Sequence, residues 1–161
     1  MKNNASKIVA AVLAQHADVT LTDVNMNPAH SGFLRYAILM GARIHILDQR
    51  WVGDEPVSNL RVQNAKQLQA IEVREEHIST LESELPLLYL MAVCAKGVST
   101  LPDHVLIHSM IKRSEFYVGA NLCPGLDPGN ICPLSDTHLT ITGDPSLLPK
   151  IRPHLKELLH V

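Results

Sequence analysis

The sequence predicts an α/β chain of the two-layer α+β kind, a mixed sheet with helices on one face. Three observations predict it. Segments with helical periodicity alternate with short runs of period two. The short strand runs come in pairs, which favours mixed over purely parallel pairing. Apolar residues make up 46% of the 161 residues and charged residues 19%, enough apolar surface for one core.

The elements follow in order. Ser6 to His16 reads as a helix, because Ile8, Val9, Val12 and Leu13 share one face. Asp18 to Val24 alternates Val19, Leu21 and Val24 with polar residues and suits a strand. Asn27-Pro28 breaks it, and Ser31 is placed to cap a helix from Gly32 to Met40. Gly41 ends that helix, as a glycine just past a C-terminus does. Arg43 to Leu47 alternates as a strand, and Asp48 to Pro56 reads as a turn. Leu60 to Val62 and Ala70 to Val73 read as two short strands.

Leu85 to Lys96 is the most apolar helix, opened near Pro86 and closed by Gly97. Val98 to Leu101 is a strand, and Val105 to Leu122 a helix with Gly119 inside it. Asn121 to Asp136 holds three prolines and reads as the longest loop. His138 to Thr142 is a strand, and Pro145 to Val161 a helical tail. A helix–strand–helix–strand–strand pattern recurs, once from Ser6 to Val62 and again from Leu85 to Thr142. We divide the chain at residue 143, with two repeat units before it and the tail, 144–161, after it.

Composition excludes several functions. Fourteen Lys+Arg against 16 Asp+Glu leave a net charge of −2, and no basic block offers a nucleic-acid surface. Aromatic residues are 4%, too few for a base-stacking platform. No apolar run has the length of a membrane helix, about 20 residues. Lys7, and then Gln15, His16 and Asp18, argue against a cleavable leader, so a reducing cytoplasmic setting is the expectation. The nine histidines show no zinc-type spacing beyond His104 and His108, four apart, and no metal or cofactor is expected. Cys123 and Cys132 have eight residues between them in the Pro/Gly-rich loop, read as two thiols with a disulfide as the alternative.

Three segments carry a family resemblance. Asn25 to Ile46 resembles the Asn-Pro-Thr-Arg-x-Gly turn, helix and Met-Gly-Ala-x-Ile of the enolpyruvyl transferases, the EPSP synthase family. Gly53 to Val62 resembles that family's Gly-Glu-Pro-x-x-Asp-hydrophobic-Arg-Val stretch, and Glu82 to Leu101 its Ile-Asp-Glu-hydrophobic-Pro segment with the following helix. The match runs in order from about Ala5 to Thr142. It implies repeated βαβαββ-type units and a place in part of one domain, since the chain is well under half the family's usual length. The family's reaction moves an enolpyruvyl group from phosphoenolpyruvate to shikimate 3-phosphate, in the shikimate pathway of aromatic amino-acid biosynthesis. It needs cations for phosphates and acid/base groups near the attacking oxygen.

The departures fall on the charged positions. The family's catalytic Asp is matched by Ser83, which needs an activating base of its own; Glu84 and Pro86 match. Glu82, read as lying in a strand or extended turn, points elsewhere. The family's Leu-Arg-x-Lys-Glu-Ser-Asp-Arg motif is expected about ten residues after Gly97, where this sequence runs from Ile107 to Arg113, with the register open by one residue. Its Arg becomes His108, its Lys-Glu pair becomes Met110 and Ile111, and Lys112-Arg113 stands as a displaced remnant. The Arg of the Asn-Pro turn becomes His30, and the Asp before Arg-Val becomes Asn59.

The expectation is a retained scaffold without independent transferase activity. Glu84 and the substituted Ser83 are the candidate catalytic positions. Arg35, His30, His108, Lys112 and Arg113 are candidate contacts for a small phosphate or carboxylate anion, against an ordinary role as solvated surface groups. One alternative is half of an enzyme completed by a partner chain. Another is an interaction or regulatory module, with a homodimer or partner domain covering an exposed face.

Overall fold

A computed structural model describes residues 2–28, 31–118, 131–133 and 138–159. The first repeat runs α1 (Lys2–Leu13), β1 (Asp18–Asn25), α2 (Gly32–Leu39), β2 (Arg43–Val52) and β3 (Glu55–Gln63). Two 3-10 turns, Glu75–Thr80 and Glu82–Glu84, lead into the second repeat. That repeat runs α3 (Leu85–Val93), β4 (Val98–Pro102), α4 (Val105–Val118), β5 (Ile131–Pro133) and β6 (His138–Thr142). Short helices α5 (Leu148–Ile151) and α6 (Leu155–Leu159) follow. The α/β architecture is the expected one, but its strands divide between two sheets, ordered β1-β3-β2 and β4-β6-β5. In each, the last strand of the five-element series or its partner sits centrally by antiparallel pairing, so the two repeats share one topology.

Several boundaries differ from the sequence reading. The helix read from Ser6 to His16 is α1, Lys2–Leu13, and bends replace helix at 14–16. The turn placed over Asp48 to Pro56 shrinks to two residues. β2 runs on to Val52 and pairs with Glu55, and Gly53 sits at the first turn position with φ +63°. A glycine there gives the hairpin turn whose twist matches the strands. Ala70 to Val73 joins no ladder as a named strand; it makes isolated parallel bridges to the β4 side, Gln69 to Lys96 and Glu72 to Thr100. The loop over 121–136 contains β5, which pairs with β6. The rest of that loop, Cys123 and helix positions 119–122 lie outside the described residues.

The core is continuous through both repeats. Every residue of α3 except Pro86 is buried. A helix apolar on all sides must be surrounded, and α3 touches α1, α2, α4, β4 and β6. Leu147, Ile151, Leu155, Leu158 and Leu159 of the tail join the same cluster, and Arg152 Nε donates to the Leu13 carbonyl at 2.9 Å. No described helix is long and apolar enough to cross a membrane.

Charged groups pin the first sheet at its rim. Arg61 donates to both oxygens of Asp18, at 2.9 and 2.6 Å across β3 and β1. These bonds hold the Asp18 carboxyl below the usual carboxylate range. A depressed folded-state pKa adds stability above the unfolded pKa, and that stability is lost as pH falls through the folded one. Asp18→Asn is therefore expected to flatten the acid limb of stability, measured by urea melts between about pH 2 and 5.

Candidate functional site

The first cluster grows from α2. Arg35 is exposed on this helix, and its Nη1 lies 3.3 Å from His77 Nε2. Tyr36, one residue on, is buried and turns inward. Its hydroxyl oxygen accepts the Arg74 main-chain N–H at 3.1 Å and lies 2.5 Å from His77 Nδ1. A guanidinium only donates, so Nε2 accepts from Arg35, and the neutral ring satisfying both neighbours carries its proton on Nδ1. Tyr36 and His77 also meet edge to face, ring centroids 5.6 Å apart. Arg35, Tyr36, Leu39, Glu72, Arg74, Glu76 and His77 line an open hollow of about 510 Å3. Arg74 is paired with Glu76 at 3.4 Å, and Arg35 and Glu72 line the same hollow.

The second cluster surrounds the matched catalytic position. Ser83 lies in the 3-10 turn Glu82–Glu84 before α3 and is exposed, whereas Glu84 is buried. The turn is neither a strand nor extended, as the sequence reading had it. Glu82 and Ser83 are both exposed, but successive residues of a 3-10 helix point about 120° apart, so Glu82 still points away from the Ser83 position. Glu82 lines a hollow of about 540 Å3 with Glu75, Ser79, Asp103, His104 and His138. This rim is acidic and suits no phosphate.

His104 and His108 do not form a pair of ligands. His104 precedes α4, and its Nδ1 accepts the Leu106 main-chain N–H at 3.1 Å, while its carbonyl accepts from Ile107 at 3.0 Å. It acts as the N-cap of α4. His104→Ala is expected to lower stability by about 1 kcal/mol, read as a lower Tm. His108 is exposed, with Nε2 2.6 Å from Asp103 Oδ1. Lys112 is exposed further along α4 and lines neither hollow. Arg113 has its backbone in α4; its side chain and all of His30 lie outside the described residues.

The positions of the family's Lys-Glu pair are in the interior. Met110 is 2% exposed and Ile111 9%, on the α4 face that meets α3 and α6. Asn59, where the family has Asp, has a structural reason. β1 bulges opposite it and β2 one position along, opposite Ser58, with Asp23 and Asp48 at positive φ. Asn59 Oδ1 accepts from the Asp23 main-chain N–H at 3.1 Å and from Arg50 at 3.3 Å, and its Nδ2 donates to Asp48 at 3.1 Å. Arg50 also pairs with Asp23. A carboxylate at 59 has no proton to donate to Asp48.

Sequence reasoning named Arg35 but missed Tyr36, Arg74 and His77 as its company. Tyr36 fitted the apolar side of a helix, and His77 had no motif spacing; the two lie 41 residues apart in the chain.

Comparison with known proteins agrees on one family. The family model described as EPSP synthase (3-phosphoshikimate 1-carboxyvinyltransferase) matches residues 3–114. A 3-phosphoshikimate 1-carboxyvinyltransferase of Ruthia magnifica is 41% identical over 96 residues, 60% of this chain and 22% of the relative. One from Thermosynechococcus vestitus is 34% identical over 149 residues, 85% of this chain and 33% of the relative. Among solved structures, EPSP synthase from Acinetobacter baumannii superposes with a TM-score of 0.67 at 26% identity, over 89% of this chain and 31% of that one. The chain thus spans between about a fifth and a third of the length of the relatives it matches. With the matched model covering most of its residues and the fold superposing on a solved member, the chain belongs to the EPSP synthase family.

Proposed function

We propose that this domain does not transfer enolpyruvyl groups by itself and retains weak binding of a small anion on the Arg35 rim. The observation that carries the first half is the burial of Met110 and Ile111 where the family's motif has Lys and Glu. Those two positions supply packing, so no cation and no carboxylate stand there to meet a phosphate or move a proton. Ser83 replaces the base, and the hollow beside it is open to water, where each charge contact is weak.

The test is phosphate release from phosphoenolpyruvate plus shikimate 3-phosphate. No release above the enzyme-free rate is expected, and turnover abolished by Glu84→Ala overturns the reading. For the anion, inorganic phosphate at millimolar concentrations is expected to raise Tm with concentration, as a ligand selective for the native state must. Arg35→Ala is expected to remove that rise.

The close match to 3-phosphoshikimate 1-carboxyvinyltransferases favours a second reading, in which the domain is one wall of a shikimate-pathway transferase completed by further polypeptide. Phosphate release that appears only when a second chain is added distinguishes it.

A further inference from the structure

The hollow beside α2 carries charge of both signs on its lining, Arg35 and Arg74 against Glu72 and Glu76. Arg74 and Glu76 pair with each other. Among the described residues, the Arg35 guanidinium bonds only the His77 ring, and the Glu72 carboxylate makes no ion pair. One cation and one anion therefore line the same hollow without closing on each other.

The main chain holds them in those places. Glu72 lies between Ile71 and Val73, which are both buried, so alternation turns its side chain outward. Thr100 N–H donates to Ile71 O and Val73 N–H to Thr100 O, each at 2.9 Å, which ties this stretch to β4. Arg35 is set by its neighbour: Tyr36 is buried, and its hydroxyl oxygen holds the Arg74 main-chain N–H at 3.1 Å. That oxygen accepts from Arg74 and from His77 Nδ1, so its own O–H proton is spent on neither bond. Tyr36 thus brings a neutral donor to the lining beside Arg35.

Fixed charges of opposite sign in one small hollow select a ligand that carries both. A plain anion meets Arg35 and is repelled by Glu72; a plain cation meets the reverse. Leu39 is 60% exposed on the same lining and offers an apolar surface. A volume of about 510 Å3 suits one small molecule.

We propose that this hollow binds the zwitterion of an α-amino acid with an apolar side chain. The carboxylate meets Arg35 and the Tyr36 hydroxyl, the ammonium meets Glu72, and the side chain lies on Leu39. The proposal rests on the reading of Arg35 as an anion contact and narrows the anion to a carboxylate that brings its own cation.

The experiment titrates the intact chain with L-leucine, isocaproate and isoamylamine, and follows the amide NMR shifts of Arg35, Glu72 and Arg74. The three share one branched skeleton; isocaproate lacks the ammonium and isoamylamine the carboxylate. L-leucine is expected to saturate those shifts with a Kd about fivefold below that of either partial ligand, the size of one exposed ion contact. Glu72→Gln is expected to weaken L-leucine to the level of isocaproate and to leave the response to inorganic phosphate in place. Arg35→Ala is expected to weaken L-leucine, isocaproate and phosphate alike. Both side chains are exposed, so both variants fold. L-leucine that binds no tighter than isocaproate, or whose advantage survives Glu72→Gln, overturns the proposal; a phosphate response retained alongside leaves the anion reading standing. No response to either L-leucine or phosphate overturns both.

Discussion

Restoring the family's charged pair, Met110→Lys with Ile111→Glu, is expected to unfold the protein and leave phosphate release at the blank. Both side chains sit on the face of α4 that meets α3 and α6, at 2% and 9% exposure. An ion moved there loses its hydration, a penalty of several kcal/mol per charge even after relaxation. Lysine can extend its stem toward water and recover part of that; a glutamate on a shorter stem recovers less. The summed loss is on the order of 3 kcal/mol or more, a large share of the stability of a domain this size. Circular dichroism melts alongside the phosphate assay check it. A stable double variant that turns over substrate would show that α4 accepts the motif and that the packing argument fails.

The second large effect is at Gly143, which follows β6. Its N–H donates to Gly97 O at 2.9 Å, and Asp144 N–H donates to Val93 O at 2.8 Å, so the main chain lies against the end of α3. A Cβ at 143 would stand well inside contact distance of the Ala92 and Ala95 carbonyl oxygens. Those atoms are backbone, so no side chain can swing aside. Gly143→Ala must either part β6 from α3 or break those bonds. A loss of about 3 kcal/mol is expected, at the upper end for overpacking. By contrast Gly53→Ala meets nothing within 4 Å and carries only the strain of its φ of +63°. The two variants compared by urea melt separate crowding from strain.

Local signals were the legible part of this fold. α2 begins at Gly32 and ends ahead of Gly41, whose φ of +105° and approach to the Gln67 carbonyl exclude a side chain. Strands β4 and β6 stand within a residue of their alternating runs. What escaped was set by distant residues. Pro56 and Gly53 together look like one broad turn, but β3 tolerates Pro56 at its start, where the proline carbonyl still accepts from Met26 N–H at 2.8 Å. Ala70 to Val73 alternates like a strand, yet the Ile71 N–H bonds the Ser99 hydroxyl, which interrupts regular pairing. Among the site residues, the sequence identified Ser83, Met110 and Ile111 as changed. It could not show that the last two had become interior, because burial on a helix depends on what packs over it.

α3 has a further consequence. It belongs by sequence to the second repeat, yet α1 and α2 of the first help enclose it. The second repeat cannot enclose that helix alone: without the first, α3 is a greasy rod with no polar side to turn outward. A protease nick between the halves would leave two pieces that must stay clasped or lose their shape together. The repetition visible in the strand order is thus closed over by one shared interior.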